Sequence, residues 1–360
     1  MRIGVLTGGG DAPGLNPAIA GIVERAALGG IEVLGLKRGW EALSVKNYDK
    51  YVVELGPEII REYSRQGGSK LQCSRTNPVV PDNDRTDLVR ENVRKLGIDA
   101  VIAIGGEDTL GAAATLFERG VRVVGIPKTI DRDLVGTEYS LGYDTALNVI
   151  CDSAERIAHT AESHQTIFLI EVMGRHAGWL ALRGGEAAFA DGILIPECPF
   201  TVSKLVSVIR EKLEASDKMG FEHFYKIIVV AEGAHVKGED EVKKDSIVDE
   251  FGHYSLGGVG SHLKELLEHE FLHTRYTALA YLQRGAPPSQ KDRQVGRRFG
   301  HNAVELVEKG QFGNMVALQK SRLTSVPLAE VRKSPNLIDV ERYYDTDKLN
   351  IKIEGMESGK

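Results

Sequence analysis

Three early clusters in the chain combine glycine with charge, and each is suited to phosphate chemistry. Gly8-Gly9-Gly10-Asp11-Ala12-Pro13-Gly14 follows a short apolar run. Consecutive glycines let backbone N–H groups converge on an anion, and a helix starting just behind them adds a favourable dipole. The same residues describe equally well a tight turn between a strand and a helix. The run is not a Walker A loop, because no Lys-Ser or Lys-Thr follows, and Pro13 stands where GxGxxG requires its third glycine. Gly105-Gly106-Glu107-Asp108-Thr109 sets two adjacent carboxylates beside glycines. That pairing suits a Mg2+ ion bridging phosphate oxygens, and Asp108 suits equally the N-cap of a helix behind it. Pro127-Lys128-Thr129-Ile130-Asp131-Arg132-Asp133 carries two aspartates two residues apart, flanked by Lys and Arg, straight after an apolar strand. A solvated loop is the plain alternative for any one of these clusters. Three of them at strand ends point to a single polyphosphate–metal site.

The basic residues such a site needs are scattered. Arg75 sits in CSRTNP and Arg175 in MGRHAGW, while Arg275 and Arg284 bracket the strand-like run RYTALAYLQR. Guanidinium groups clamp phosphate oxygens bidentately, although each of these arginines taken singly reads as a surface residue. His269-Glu270-Phe271-Leu272-His273 matches the HExxH zinc signature. That signature needs a packed helix and a later third ligand. Here a strand begins at Thr274-Arg275, so the histidines read as a helix C-terminus.

Positioning the clusters requires alternating strands and helices. The sequence predicts a strand over Met1–Thr7, a helix over Leu15–Leu28 and a strand over Glu32–Leu36. A helix opened by Asn83 and running to about Lys95 precedes a strand over Asp99–Ile104. A helix over Thr109–Glu118 then leads to a strand over Arg122–Ile126, which stops at Pro127-Lys128. A long helix from Tyr143 to about Ala161 and a strand over Thr166–Val172, breaking at Met173-Gly174-Arg175, begin a second α/β lobe near residue 140. Strands near Gly192–Ile195 and Tyr225–Ala231 flank a helix from Thr201 to about Ala215, and Glu239–Asp249 reads as a solvated insertion or helix surface. In open parallel sheets ligands bind at the carboxyl ends of strands, which is where the clusters fall.

Composition bounds the rest. At 360 residues, 42% hydrophobic and 27% charged, the chain suits a soluble protein of two lobes. A net charge of −6 argues against nucleic acid as a partner, so an anionic substrate must be held by a local basic cluster. Cys73, Cys151 and Cys198 are scattered, which fits reduced thiols and a cytoplasmic setting. No apolar stretch of about 18 residues is present and the chain opens directly on a strand, so neither a membrane span nor a signal peptide is expected.

Taken in order, GGGDAPGLN, CSRTNP, GGEDT, PKTIDRD, GYDTAL, VMGRHAGW, AEGA and YLQRG make the chain resemble the ATP- or pyrophosphate-dependent phosphofructokinase family, from residue 1 to at least residue 293. The resemblance implies an α/β fold of two Rossmann-like lobes with parallel sheets. Residues 1–142 and about 283–330 would form the donor lobe, and 143–282 with about 331–360 the sugar-phosphate lobe. It implies phosphoryl transfer from magnesium pyrophosphate to the 1-hydroxyl of fructose 6-phosphate, Mg2+ as cofactor, and a homo-oligomer (dimer or tetramer) whose sites are completed across the interface. By the same resemblance Gly9, Gly10, Asp11, Arg75, Asp108, Thr109 and Lys128 bind the donor, and Glu107 ligates the metal where many relatives have Asp. Asp131 is implied as the general base, with Asp133 beside it. Thr129, Lys128, Arg75 and Arg175 would hold the transferring group. Thr129, Asp131, Met173, Gly174, Arg175, Glu232, Tyr281 and Arg284 would contact the sugar phosphate, and Arg275 would reach into the neighbouring subunit's site.

The donor follows from two positions. In this family a glycine after the first carboxylate of the second cluster, and another before the Thr of the third, leave room for a nucleotide. Asp108 and Lys128 stand there in this chain. A carboxylate repels an α-phosphate, and an ammonium binds the end of pyrophosphate, so the resemblance favours pyrophosphate. Three departures bear on the acceptor. Thr166 replaces an arginine that binds the sugar 6-phosphate, Tyr281 replaces a histidine, and Arg132 stands where Asn is the rule. An ATP-dependent 6-phosphofructokinase, or a kinase for another sugar phosphate or a polyol, is the alternative. A non-catalytic sugar-phosphate sensor is a further one, against which Asp131, Asp133 and Glu107 argue. A dinucleotide-dependent oxidoreductase would end its second strand in an acidic residue, and here that strand ends in Lys37-Arg38.

Overall fold

The computed structural model describes residues 1–218, 225–248, 252, 254–271 and 273–353. The chain packs into two compact units. One contains Met1–Thr145 and Arg284–Pro335; the other contains Ala146–Ile247, Tyr254–Gln283 and the chain from Asn336.

The first unit is built on a mixed, mostly parallel sheet. From edge to edge it runs Arg322–Pro327, Asn314–Gln319, Val123–Thr129, Ala100–Gly105, Arg2–Thr7, Glu32–Leu36 and Val52–Glu54. Its inner strands pair in parallel, and the two outermost pairings are antiparallel. From Arg2–Thr7 the chain winds to Glu32–Leu36 on one side, and from Ala100–Gly105 to Val123–Thr129 on the other. The order therefore reverses between Arg2–Thr7 and Ala100–Gly105, the first and fourth strands that the chain adds to this sheet. That reversal opens a crevice at their carboxyl ends, the ends that carry Gly8–Gly10 and Gly105–Glu107. Apolar side chains cover both faces of this sheet. Ile3, Val5, Ile102 and Ile104 pack with Ile19 and Phe299 on one side, and Leu6, Val101 and Ala103 pack with Trp40, Leu110 and Leu116 on the other. Strands buried on both faces read as continuous apolar runs, which is why they were legible.

Helices Leu15–Leu28 and Gln290–Glu308 press together through glycine. A Cβ on Gly21 would lie 2.4 Å from the Arg297 carbonyl oxygen, and one on Gly300 would lie 2.4 Å from that of Ala18. The solvent side of this contact is fastened by Arg297, which donates twice to Glu24 at 2.6 and 2.7 Å, and by His301 at 2.8 Å.

The second unit carries a parallel sheet in the order Gly192–Leu194, Lys226–Ala231, Ile167–Val172, Thr274–Ala278. Met173-Gly174-Arg175 and Glu232-Gly233 follow the carboxyl ends of its two central strands.

Several expectations are corrected. Asn83 does not open a helix: Asn83–Asp84 pairs with Val79–Val80 as a hairpin, and the helix begins at Thr86, whose N–H donates to the Asp84 carboxylate at 2.9 Å. The strand expected to stop before Pro127 continues to Thr129, because Leu141–Gly142 pairs with Lys128 and Thr129. The helix expected from Thr109 starts at Glu107. The region from Glu239 is no helix surface; Lys243–Val248 is a strand paired with Tyr254–Leu256, and Asp249 lies outside the described residues. The run around Arg275 is strand only over Thr274–Ala278 and closes in a helical turn, Leu282–Gly285, that carries Arg284. Among the described residues no helix is long and apolar enough to cross a membrane.

Candidate active site

In the first unit, the three glycine–charge clusters converge. Gly8 N–H donates to the Ile104 carbonyl and Gly9 N–H to the Ser74 carbonyl, both at 3.0 Å. The glycine turn is thus stitched to the strand bearing the second cluster and to the segment bearing Arg75. Since Gly8 and Gly9 spend their N–H groups internally, the value of the glycines is close approach: Gly9 has φ 75°, and a Cβ on it would lie 3.5 Å from Lys128 Nζ. A Cβ on Gly10 would lie 2.8 Å from an Arg284 guanidinium nitrogen. Arg284 donates to the Asp11 carbonyl at 2.9 Å, and Lys128 Nζ donates to the Gly10 carbonyl. Asp11 is partly exposed and Arg75 exposed.

Lys128 is the electrostatic centre of this arrangement. Its side chain is buried, 3% exposed. Burial lowers its pKa to about 8, with the neighbouring Arg284 pushing the same way and Asp11 and Asp131 pulling back.

Thr109 is 2% exposed, and its side chain fills the space that a Cβ on Gly8 or Gly105 would occupy. It acts as a wedge beneath two turns, and Trp40 Nε1 donates to its carbonyl at 3.2 Å. Glu107 and Asp108 lie in the first turn of the helix, whose N-cap is Gly106. Asp108 is therefore not the N-cap that its sequence context suggested.

Beyond Lys128 the chain turns sharply. Thr129 Oγ1 accepts the Asp131 N–H at 3.1 Å. Arg132 sits between Asp131 and Asp133 with φ 56°, left-handed backbone that Asn adopts more readily than Arg. Its guanidinium lies 5.6 Å from the centroid of the Tyr143 ring. Asp133 is held well above the usual carboxylate range, chiefly by burial and then by the carboxylates of Asp131 and Glu107. Its Oδ1 is buried with no hydrogen-bond partner among the described residues.

That orphaned oxygen, together with the neighbouring Glu107, fits a divalent cation. Among the described residues no cluster of three His, Cys, Asp or Glu could hold a metal unaided. Magnesium does not require one, since it takes one or two carboxylates and completes its shell with phosphate oxygens and water.

The second unit brings together another set. Gly174 has φ 133°, and a Cβ on Gly233 would lie 1.9 Å from the Arg175 carbonyl oxygen, so the two loops run backbone against backbone. Gly233 N–H donates to the Gly174 carbonyl at 3.1 Å and Glu232 N–H to the Val172 carbonyl at 2.8 Å. Met173, Gly174, Arg175 and Glu232 thus share the carboxyl end of the sheet. Arg275, Thr166 and His164 do not join them. They line an open pocket of about 400 Å3 with Thr160, Phe168, Lys264 and Tyr276, at the amino end of the same strands. Thr166 is 2% exposed and its hydroxyl is buried without a hydrogen-bond partner among the described residues. Tyr281 is exposed.

The zinc signature is split between elements. The helix Val259–Glu268 ends before His269, Glu270 is ion-paired with Arg210 at 2.8 Å, and the next strand starts at Thr274. Leu272 lies outside the described residues.

Sequence reasoning missed three buried polar residues that hold these segments. Gln283, fully buried, accepts the Met173 N–H at 3.3 Å. Glu171 accepts the Gly260 N–H at 2.8 Å and the Gly258 N–H at 3.1 Å. Asp292 is the third. Only Glu171 left a signal, as a charge inside the apolar run TIFLIEV.

A sequence model of the phosphofructokinase family matches residues 2–307. The chain belongs to the phosphofructokinase family. It is 44% identical over 345 residues to a pyrophosphate–fructose 6-phosphate 1-phosphotransferase of Dictyoglomus thermophilum, covering 95% of this chain and 96% of that one. It is also 39% identical over 349 residues to an ATP-dependent 6-phosphofructokinase 3 of Streptomyces coelicolor, covering 96% and 99%. In fold it resembles a pyrophosphate-dependent phosphofructokinase from Marinobacter aquaeolei, with a TM-score of 0.79 and 22% identity over 98% of this chain and 88% of that one. Within the family, then, relatives at comparable similarity are named for different donors, and the donor must be argued from side chains.

Proposed function

We propose that this phosphofructokinase transfers a phosphoryl group from magnesium pyrophosphate to the 1-hydroxyl of fructose 6-phosphate, giving fructose 1,6-bisphosphate and phosphate, and that it runs in both directions. The observation that carries the donor assignment is the buried ammonium of Lys128, held on the Gly10 carbonyl beside the glycine turn. That ammonium has no carboxylate ion pair among the described residues, and a terminal phosphate would neutralise it. Asp108, in the first turn of the adjacent helix, adds a negative charge that disfavours a further phosphate.

Phosphoryl transfer is catalysed by positioning and charge neutralisation more than by covalent chemistry. Asp131 takes the proton of the 1-hydroxyl. The hydroxyl oxygen then forms its bond to phosphorus as the bond to the departing phosphate breaks. Lys128, Arg75 and Arg175 neutralise charge on the transferring and leaving groups, and Thr129 orders the loop by accepting the Asp131 N–H. Glu107 and Asp133 would hold Mg2+, which when bound neutralises the donor's phosphate oxygens. Gly9, Gly10 and Asp11 form the donor cradle, with Thr109 supporting it from below. Met173, Gly174, Glu232 and Arg284 hold the sugar phosphate.

The same reading makes the enzyme a homo-oligomer. Thr166 and Arg275 lie at the amino end of the strand pair whose carboxyl end carries Met173. Six strand residues separate Thr166 from Met173, which is roughly 20 Å. Arg275 thus stands far from the Met173–Arg175 loop of its own chain, which supports the reading that a second copy supplies it, with Tyr281 beside the shared sugar phosphate. Three free cysteines suit a cytoplasmic protein.

The deciding experiment is a donor–acceptor matrix, with pyrophosphate or ATP against fructose 6-phosphate, other sugar phosphates and polyols, in Mg2+. Turnover with pyrophosphate and fructose 6-phosphate, reversed by phosphate, is the expected result. Turnover with ATP alone overturns the donor assignment; turnover only with another acceptor overturns the sugar assignment and traces it to Thr166.

A further inference from the structure

Asp292 belongs to no cluster described above, yet it is fully buried. It lies in the first turn of the Gln290–Glu308 helix, where its N–H donates to the N-cap hydroxyl of Ser289 at 3.2 Å. Its carboxylate points away from that helix. Oδ1 accepts the Gly142 N–H at 2.8 Å and the Tyr139 hydroxyl at 2.8 Å. Oδ2 accepts the Thr145 N–H at 3.0 Å and the Thr145 hydroxyl. That hydroxyl also accepts the Ser289 N–H at 2.9 Å. Two of the four partners are backbone N–H groups and two are hydroxyls. Burial and the adjacent carboxylate push the Tyr139 phenol far above its usual range, so it keeps its proton. A carboxylate, which only accepts, takes all four; burial raises the Asp292 pKa, and the bonds from Thr145, Gly142 and Tyr139 offset part of that rise.

The segment it grips is the one that fixes the catalytic loop. Leu141 and Gly142 pair with Lys128 and Thr129, and the Ser140 hydroxyl donates to the Thr129 carbonyl at 2.7 Å. Gly142 has φ 100°, and a Cβ on it would lie 2.7 Å from Ala12 and 3.0 Å from Ile130. Its backbone is thus inserted between the glycine turn and the start of the Asp131 loop. A Cβ on Gly14 would lie 3.5 Å from Asp292 Oδ1. One carboxylate therefore stands behind both the donor turn and the base-bearing loop, without reaching either ligand position.

We infer that Asp292 is a positioning residue for phosphoryl transfer, setting the relation of Lys128 and Asp131 to the donor turn through Gly142 and Thr145. The inference rests on the proposed roles of Lys128 and Asp131. An amide at this position puts N–H groups against at least one of the donors and lets the Leu141–Gly142 strand shift. Misplacement of reacting groups by about 1 Å costs on the order of 100-fold in rate.

The test uses full-length wild-type protein and the variants Asp292→Asn, Thr145→Val and Thr145→Ser, assayed with whichever donor and acceptor the wild type turns over. Absence of turnover with pyrophosphate in the wild type counts against the proposed donor alone. Each variant is assayed well below its own Tm. The expected result is a loss of about 10- to 100-fold in kcat for Asp292→Asn with KM changed less than about threefold. Thr145→Val should share part of that loss, and Thr145→Ser, which keeps the hydroxyl, should restore it. Full kcat in a destabilised Asp292→Asn protein makes the residue merely structural and overturns the inference. Should Asp292→Asn not fold, the Thr145 pair decides: equal kcat for Val and Ser overturns it, and loss in Val alone sustains it.

Discussion

At the scale of single residues, the proposed donor site turns on a cation kept out of water. With the Lys128 pKa lowered to about 8, the free enzyme loses that proton as pH rises through 8. Only the protonated form attracts the donor, so kcat/KM for pyrophosphate should fall above pH 8. A Lys128→Met protein should lack that inflection and show a donor KM raised at least about tenfold, the effect of losing one charged hydrogen bond. Steady-state kinetics from pH 6 to 10 would show both, and an unchanged alkaline limb in the variant would count against Lys128. Arg132 gives a second expectation. Its left-handed backbone is strained for a long side chain, so Arg132→Asn should stabilise the fold by about 0.5–1 kcal/mol in urea unfolding. Any rise in acceptor KM in that variant would measure what the guanidinium contributes to substrate. The motif residues themselves were legible because their chemistry needs rare combinations, glycine runs beside paired carboxylates. Asp292 and Gln283 were not. A buried aspartate near a helix start and a glutamine before an arginine look like surface residues until their partners, more than 100 positions away, are known.

At the scale of elements, punctuation decided what could be read. The first helix and second strand were legible to the residue, Leu15–Leu28 and Glu32–Leu36, because glycines close both and apolar spacing fills them. Pro127 misled for a physical reason. Proline normally marks the edge of a strand, but a partner strand arriving from Leu141–Gly142 prolongs the ladder past it. Asn83 misled because a turn-forming residue also forms hairpins. The contact of helices Leu15–Leu28 and Gln290–Glu308 yields an expectation at this scale. Gly300→Val inserts a side chain where a Cβ alone would be 2.4 Å from backbone. Overpacking of this kind costs about 1–3 kcal/mol, so the urea midpoint should fall while KM for both substrates stays near the wild-type value. An unchanged midpoint would mean that the helices separate at no cost.

At the scale of the whole molecule, the proposed oligomer, supported by Arg275 and Thr166 lying at the amino end of their strands, gives an expectation of its own. Arg275→Ala and Asp131→Asn proteins should each be nearly inactive. Mixed, dissociated and reassociated, they should recover part of the wild-type rate, because some hybrid sites draw an intact arginine from one chain and an intact base from another. No recovery, with mixed oligomers verified by mass, would confine each site to one chain. The buried ammonium of Lys128 has a consequence for the lifetime of the protein as well. Its lowered pKa means that the unfolded chain binds the proton more tightly, so stability should rise with pH between about 8 and 10.5 and be least favourable below 8. At neutral pH any anion that reaches Lys128 relieves that penalty. Donor at about 100 times its Kd would add about 2.7 kcal/mol to the folded state. The folded population, and with it resistance to proteolysis, then follows the supply of donor, so that the enzyme persists where its phosphoryl source is abundant and is cleared where it is scarce.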